Sequence, residues 1–192
     1  YGFVGGGSAG MEMQTLPLRI SMETRPDDVP AWGKTYKEHL PKWQNTAFIG
    51  IQQDSLPYTC NYIDLDPVYR DKSGLGLPVI RATYQVQPNE HRISDYMENW
   101  AEQVFKAMGA DKVWRGGRFL SVGSCHELGG TRMGDDPKTS VVDRDLQVHD
   151  TPGLYVYGGS VFPTCPGINP TLTIWATCLQ AVDKLIKTLA DR

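Results

Sequence analysis

The hydrophobic pattern changes period partway along this chain, and that change restricts it to a mixed fold of helices and sheet. Residues 48–52, 58–65 and 79–86 are short β-rich runs, separated by Pro57 and by a turn at Gly74 and Gly76, and closed by Pro88. They read as successive antiparallel strands. In the third run Ile80, Ala82, Tyr84 and Val86 alternate with Arg81, Thr83 and Gln85, which gives one apolar face and one face open to water. The spacing then becomes helical: Ile93, Tyr96, Met97, Trp100, Ala101, Val104 and Met108 share a face, and Gly109 is a natural stop. Leu172, Trp175, Ala176, Leu179, Val182, Ile186 and Leu189 predict a second long helix, with Trp175 and its helical neighbours in the core. Residues 1–47 mix glycine and proline with short apolar runs such as 16–20, and read as loops and short strands.

A chain of 192 residues has room for one domain or parts of two. Its 40% hydrophobic and 21% charged content suits a soluble globular protein, and no apolar run approaches the roughly 20 residues of a membrane span. The net charge of −3, with basic residues scattered along the chain, leaves no stripe to neutralise phosphates, so nucleic acid is not an expected partner. Cys60, Cys125, Cys165 and Cys178 are too widely spaced for a CxxC motif, and no metal site is predicted. The start at Tyr1, without a leader pattern, raises the expectation that the chain is processed, cleaved or incomplete.

Gly5, Gly7 and Gly10 fit GxGxxG, the turn that presents backbone N–H groups to a pyrophosphate. The context is wrong for it. Only Tyr1 to Val4 precede the motif, and Pro17 interrupts the helix that should follow, so a glycine-rich loop is the better reading.

The unusual residues concentrate between the two predicted helices. Cys125-His126-Glu127-Leu128-Gly129-Gly130-Thr131-Arg132-Met133-Gly134 sets an imidazole just ahead of two glycines that admit another group close to the backbone, and a histidine satisfied within its own turn is the simpler alternative from these residues alone. Residues 154–157 form a short apolar run ending in Gly158, Gly159 and Ser160, where an α/β sheet holds ligands and where a plain turn is the simpler alternative. Asn169-Pro170-Thr171 opens the last helix as an N-cap followed by proline at the first helical position. The positive end of that helix favours an anion in front of it. Arg132, Asp135 and Asp136 suit turn chemistry and local ion pairing, and His39, His91 and His149 have no supporting motif and count as surface or structural.

At these residues the chain resembles the glucose-methanol-choline (GMC) oxidoreductases, in particular the branch of pyranose oxidase and the bacterial gluconate, sorbitol and glycoside 3-dehydrogenases. The likeness rests on residues 126–134, 141–143, 153–163 and 167–173 in that order; residues 61–67 and 71–78 also resemble the substrate-domain sheet of this branch, so that it extends over most of residues 48–192 and covers only the beginning weakly. It implies an α/β fold of α+β character, in which the C-terminal part of a Rossmann-like FAD-binding domain joins an antiparallel-sheet substrate domain. Residues 1–118 would belong to the substrate domain and 119–192 to the FAD domain. By the same resemblance His126 accepts the proton of a sugar or alcohol hydroxyl while hydride passes to flavin N5, and Asn169 is the second member of the catalytic pair. Gly158, Gly159, Ser160, Asn169, Pro170 and Thr171 would line the FAD. The family's N-terminal FAD segment has no copy here, so that part is an implied partner, on a longer chain or a second polypeptide. A cytochrome or small accessory subunit, and a bacterial periplasmic location, also follow from the likeness. The resemblance favours a dehydrogenase; an oxygen-using sugar oxidase and a non-catalytic binding or assembly remnant of the fold are the rival readings.

Overall fold

The computed structural model describes residues 1–13, 17–22, 24–118 and 126–190. The predicted beginning of the glycine-rich turn at Phe119, and Cys125, lie outside these residues. The chain divides into two compact units: Tyr1–Gln53 with Gln87–Leu120, and Asp54–Val86 with Ser121–Arg192. This spatial grouping places the middle hairpin with the C-terminal segment, a different partition from the expected functional division near residue 118.

In the first unit β1 (Gly7–Met13) pairs antiparallel with β2 (Ala47–Gln53), Gly7 opposite Gln53 and Met13 opposite Ala47. Gly7 and Gly10 of the glycine motif therefore lie in a strand, and Gly5 precedes it at φ +100°, an arrangement that is neither the expected loop throughout nor a phosphate turn. Gly7 is required by packing: a Cβ there would lie 2.5 Å from the Gln52 carbonyl oxygen and 2.8 Å from Met97 Sδ. Two short helices, α1 (Pro17–Met22) and α2 (Lys34–His39), and a 3-10 turn (Leu40–Asn45) connect the strands. The long helix α3 (Pro88–Ala107) begins earlier than the apolar spacing showed, because Pro88 occupies its first turn, where a missing N–H costs nothing. It ends as expected, with Gly109 at φ +82°. Ile93 and Ala101 of α3 are buried, whereas Tyr96, Trp100 and Met108 of the same predicted face are exposed.

His39, expected at the surface or in a structural role, is 4% exposed, and its Nε2 has no hydrogen-bond partner among the described residues. Burial, reinforced by Lys42 and Lys112, lowers its pKa, so the imidazole is held neutral. The folded state binds its proton less readily than the unfolded chain. The stability this gives is complete above the ordinary histidine value of about 6.5 and is lost as pH falls through the lowered folded value. Thermal melts of the protein should fall in Tm below about pH 6.5, and His39→Gln should flatten that slope; an unchanged slope in the variant would assign the acid sensitivity to other groups.

The second unit contains the antiparallel hairpin β3 (Tyr62–Arg70) and β4 (Pro78–Thr83) and the long helix α4 (Thr171–Ala190). Expected strand 58–65 is shifted towards the C-terminus. Residues 58–61 form a turn, closed by a 3.0 Å bond from Asn61 N–H to the Tyr58 carbonyl, and the Asn61 side chain binds both backbone groups of Gln85 across the hairpin. Pro67 is tolerated within β3 because the register breaks between Leu65 and Arg70, where no ladder bond is lost. The three β-rich runs do not join one sheet, since β2 pairs with β1 and β3 with β4. Residues 154–157, expected as a strand, form only an isolated bridge through Tyr155 to Gln147, held by bonds from Val148 N–H to Leu154 and from Val156 N–H to Leu146.

The core of this unit comprises Val142, Leu146, Val161, Phe162 and Ala181, with Leu128, Met133, Val148, Val156 and Ile174 packed on it. Ile174 and Ala181 thus fix which side of α4 faces inward. The stripe of Leu172, Trp175, Leu179, Val182, Ile186 and Leu189 is exposed, Trp175 by 62%, contrary to the expectation of a core position. The apolar face of the hairpin is also bare, with Ile63 66% and Ile80 72% exposed. None of the helices among the described residues is long and apolar enough to cross a membrane.

Candidate functional site

The segment after His126 is laid against the 3-10 turn Gly159–Val161. Thr131 N–H donates to the Ser160 carbonyl at 2.9 Å, Met133 N–H donates to the Val161 carbonyl at 2.7 Å, and the Thr131 and Ser160 hydroxyls bond at 2.8 Å. Two glycines make this approach feasible. Gly129 has φ +86°, with the Phe162 carbonyl oxygen 3.3 Å from where a Cβ would sit. A Cβ on Gly159 would come within 2.5 Å of Leu128 and 3.3 Å of Ile174, so the glycine demand there arises from the protein's own packing. Gly158 turns the chain at φ +121° with open space beside it.

His126 is half-buried, and its backbone carbonyl accepts a 3.7 Å contact from the Cys165 thiol. Four residues beyond Cys165 comes Asn169, exposed, between buried Gly167 and buried Pro170. The Asn169 amide makes no hydrogen bond among the described residues. The helix boundary differs from expectation by one residue. The Pro170 carbonyl accepts the first helical bond, from Ile174 N–H at 2.9 Å, so Pro170 holds the cap position and α4 starts at Thr171. Asn169 is thereby released from capping. Gly167 N–H donates to an Asp54 carboxylate oxygen, and Ser55 and Cys165 exchange backbone bonds of 3.0 and 3.1 Å. Burial, then Asp54 and Glu127, raise the Cys165 pKa and keep the thiol protonated.

The remaining sequence candidates are structural. Arg132 Nε donates to the Thr139 carbonyl at 2.7 Å, Asp135 pairs with Arg144 at 3.1 Å, and Asp136 accepts Lys138 N–H at 2.9 Å. His149 Nε2 lies 3.0 Å from the Ser140 hydroxyl and 3.1 Å from the Gly134 carbonyl, closing the same loop. A groove of about 620 Å³ beside the C-terminal half of α4, lined by Met133, Leu146, Ala181 and Lys184 among others, is reached by none of His126, Gly158 to Ser160 and Asn169 to Thr171. Cys165 and Cys178 are free thiols. Asp54, Ser55 and Cys165 were not legible as site residues, since nothing in the local sequence marks a carboxylate that acts 113 residues away.

A mixed antiparallel and helical fold agrees with comparison to known proteins. The GMC oxidoreductase family model matches residues 57–178, and the chain belongs to that family. It is 34% identical to the gluconate 2-dehydrogenase flavoprotein of Pantoea cypripedii, over 92% of this chain and 30% of that protein. It is 37% identical to paromamine 6'-oxidase of Streptomyces fradiae over 61% of this chain and 22% of the relative. With the fructose dehydrogenase large subunit of Gluconobacter japonicus it shares 32% identity over 73% of this chain and 25% of the relative. The chain thus spans under a third of the length of these relatives.

The family is FAD-dependent, and the residues present fit such a group. The N–H groups of Thr171, Leu172 and Thr173, at the start of a 20-residue helix, have no acceptor among the described residues, and the exposed Asn169 amide adds a further donor. A donor set of this kind suits an electron-rich, acceptor-bearing edge.

Proposed function

We propose that this chain supplies the catalytic end of an FAD-dependent oxidoreductase that oxidises a sugar or alcohol hydroxyl to a carbonyl. The observation that carries the reading is the shared frame of His126, the Gly158 to Ser160 turn and the uncommitted N-terminus of α4, within a chain of this family. When bound, FAD supplies the acceptor for the hydride leaving the substrate carbon. Gly158, Gly159, Ser160, Asn169, Pro170 and Thr171 are the residues assigned to hold it, with residues 119–192 as the portion of a Rossmann-like FAD domain and 1–118 as the portion of the substrate domain.

His126 is assigned as general base. A neutral imidazole takes the hydroxyl proton at its ring nitrogen, which localises negative charge on the substrate oxygen. Asn169 donates an amide hydrogen bond to that oxygen without titrating itself. The α4 N-terminus adds fixed positive dipole to the same region, where charge develops. Dehydrogenase activity is favoured over oxidase activity because residues 130–140 resemble the bacterial dehydrogenases, although the relatives include proteins named as either. The names "flavoprotein" and "large subunit" among relatives support a companion subunit.

The test uses the full-length protein with any companion subunit. Purified material should carry flavin absorbance, and a panel of sugars and glycosides should bleach it under nitrogen for at least one member. With artificial acceptors, turnover should persist under nitrogen; dependence on air would select the oxidase. Material without flavin bands, and unresponsive after FAD is added, would leave the non-catalytic remnant.

A further inference from the structure

We propose that Asp54 is a positioning residue, clamping the loop that presents Asn169 and, through Cys165, the backbone behind His126. The proposal rests on the roles assigned above to His126 and Asn169, and adds a residue outside the segment that the family model matches.

Asn169 has no side-chain bond of its own among the described residues, so its placement must come from the backbone on either side. On one side Pro170 fixes φ and leads into α4. On the other, Gly167 is buried and donates its N–H to the Asp54 carboxylate. A backbone N–H on a carboxylate is a charge-assisted bond, about twice as strong as one between neutral groups. Ser55 continues the attachment by exchanging both backbone bonds with Cys165, at 3.0 and 3.1 Å. Three consecutive contacts therefore hold residues 165–167 to 54–55. The Cys165 thiol in turn meets the His126 carbonyl at 3.7 Å, so the same loop supports both members of the pair. The raised thiol pKa, caused by burial and by Asp54 and Glu127, keeps the proton that this contact uses. Releasing Gly167 frees Asn169 to move, and a displacement on the order of 1 Å in a positioned group costs up to about a hundredfold in rate.

The test compares Asp54→Ala and Asp54→Asn with the parent in the FAD-loaded, full-length protein. Asp54→Asn keeps an oxygen for Gly167 N–H. Hydrogen exchange of a peptide covering residues 165–170 should quicken about tenfold in Asp54→Ala and remain near the parent in Asp54→Asn. Flavin reduction at saturating substrate should slow by about tenfold in the alanine variant, with KM changed less than about twofold, and recover in Asp54→Asn to at least about half the parent rate. Should Asp54→Ala not fold, Asp54→Glu, which retains the charge but displaces it by one methylene, should show both changes to a smaller degree. Unchanged exchange, or a raised KM at the parent rate, overturns the clamp. Asn169→Ala run in parallel separates the two ideas: if it slows reduction and Asp54→Ala does not, the positioning role falls alone. If neither slows it, the assignment of Asn169 falls, and the positioning role falls with it.

Discussion

Flavin reduction by substrate is expected to slow by about 10² to 10⁴ when His126 is replaced by alanine in the complete, FAD-loaded protein, the usual worth of a positioned general base. The loss should appear in the rate at saturating substrate more than in KM, because the imidazole acts as the proton moves. FAD occupancy should stay close to the parent, and the Cys165 contact is kept because it uses the His126 backbone carbonyl, which alanine retains. Anaerobic stopped-flow spectroscopy measures the reduction rate, and flavin absorbance measures the occupancy. A parent-like reduction rate in His126→Ala would remove the imidazole from the chemistry and leave it a structural part of its loop.

Asn169 should separate chemistry from folding more cleanly than its sequence context implied. Asn169→Ala is expected to raise the barrier by about 1 to 3 kcal/mol, the loss of one hydrogen bond to developing charge in a preorganised site. Its effect on stability should be within about 0.5 kcal/mol, because Pro170 rather than Asn169 occupies the cap of α4. Asn169→Asp sharpens the contrast. A carboxylate beside the N-terminus of a 20-residue helix favours the helix, so the Tm should hold or rise slightly. The same charge repels an alkoxide forming on the substrate, so reduction should fall below that of Asn169→Ala. Reduction rates and melts on the same preparations decide the matter: a lower Tm with an unchanged rate in both variants would make Asn169 a structural residue only.

The comparison with known relatives supports the family, and the first signs of it lay in linear order. Residues 126–134 and 167–173 are contiguous motifs whose glycines, proline and polar groups are recognisable without a third dimension. What those motifs do to one another was not recognisable. Gly159 reads along the chain as a ligand-facing glycine, yet its lack of a side chain is demanded by Leu128 and Ile174. Gly7 reads as part of a nucleotide fingerprint, yet Met97 and the Gln52 carbonyl require it. Both are close approaches between distant segments.

By itself the sequence determined the periods, and hence α3, α4, β2 and the β3–β4 hairpin, because backbone geometry imposes spacing of 3.6 or 2 on any element with one apolar face. It also determined the turns at Gly109 and Asp136, where a residue's own conformational freedom or short side chain acts on its neighbours. Only the tertiary structure decided which apolar face is covered. Periodicity places Trp175 and Ala181 on the same helix but cannot say that Ala181 joins the core that holds Val142 and Phe162 while Trp175 stays exposed. It decided as well that His39 is buried and that Asp54 reaches Gly167. Such contacts depend on chain segments that are far apart in sequence, and local spacing holds no record of where a distant segment returns.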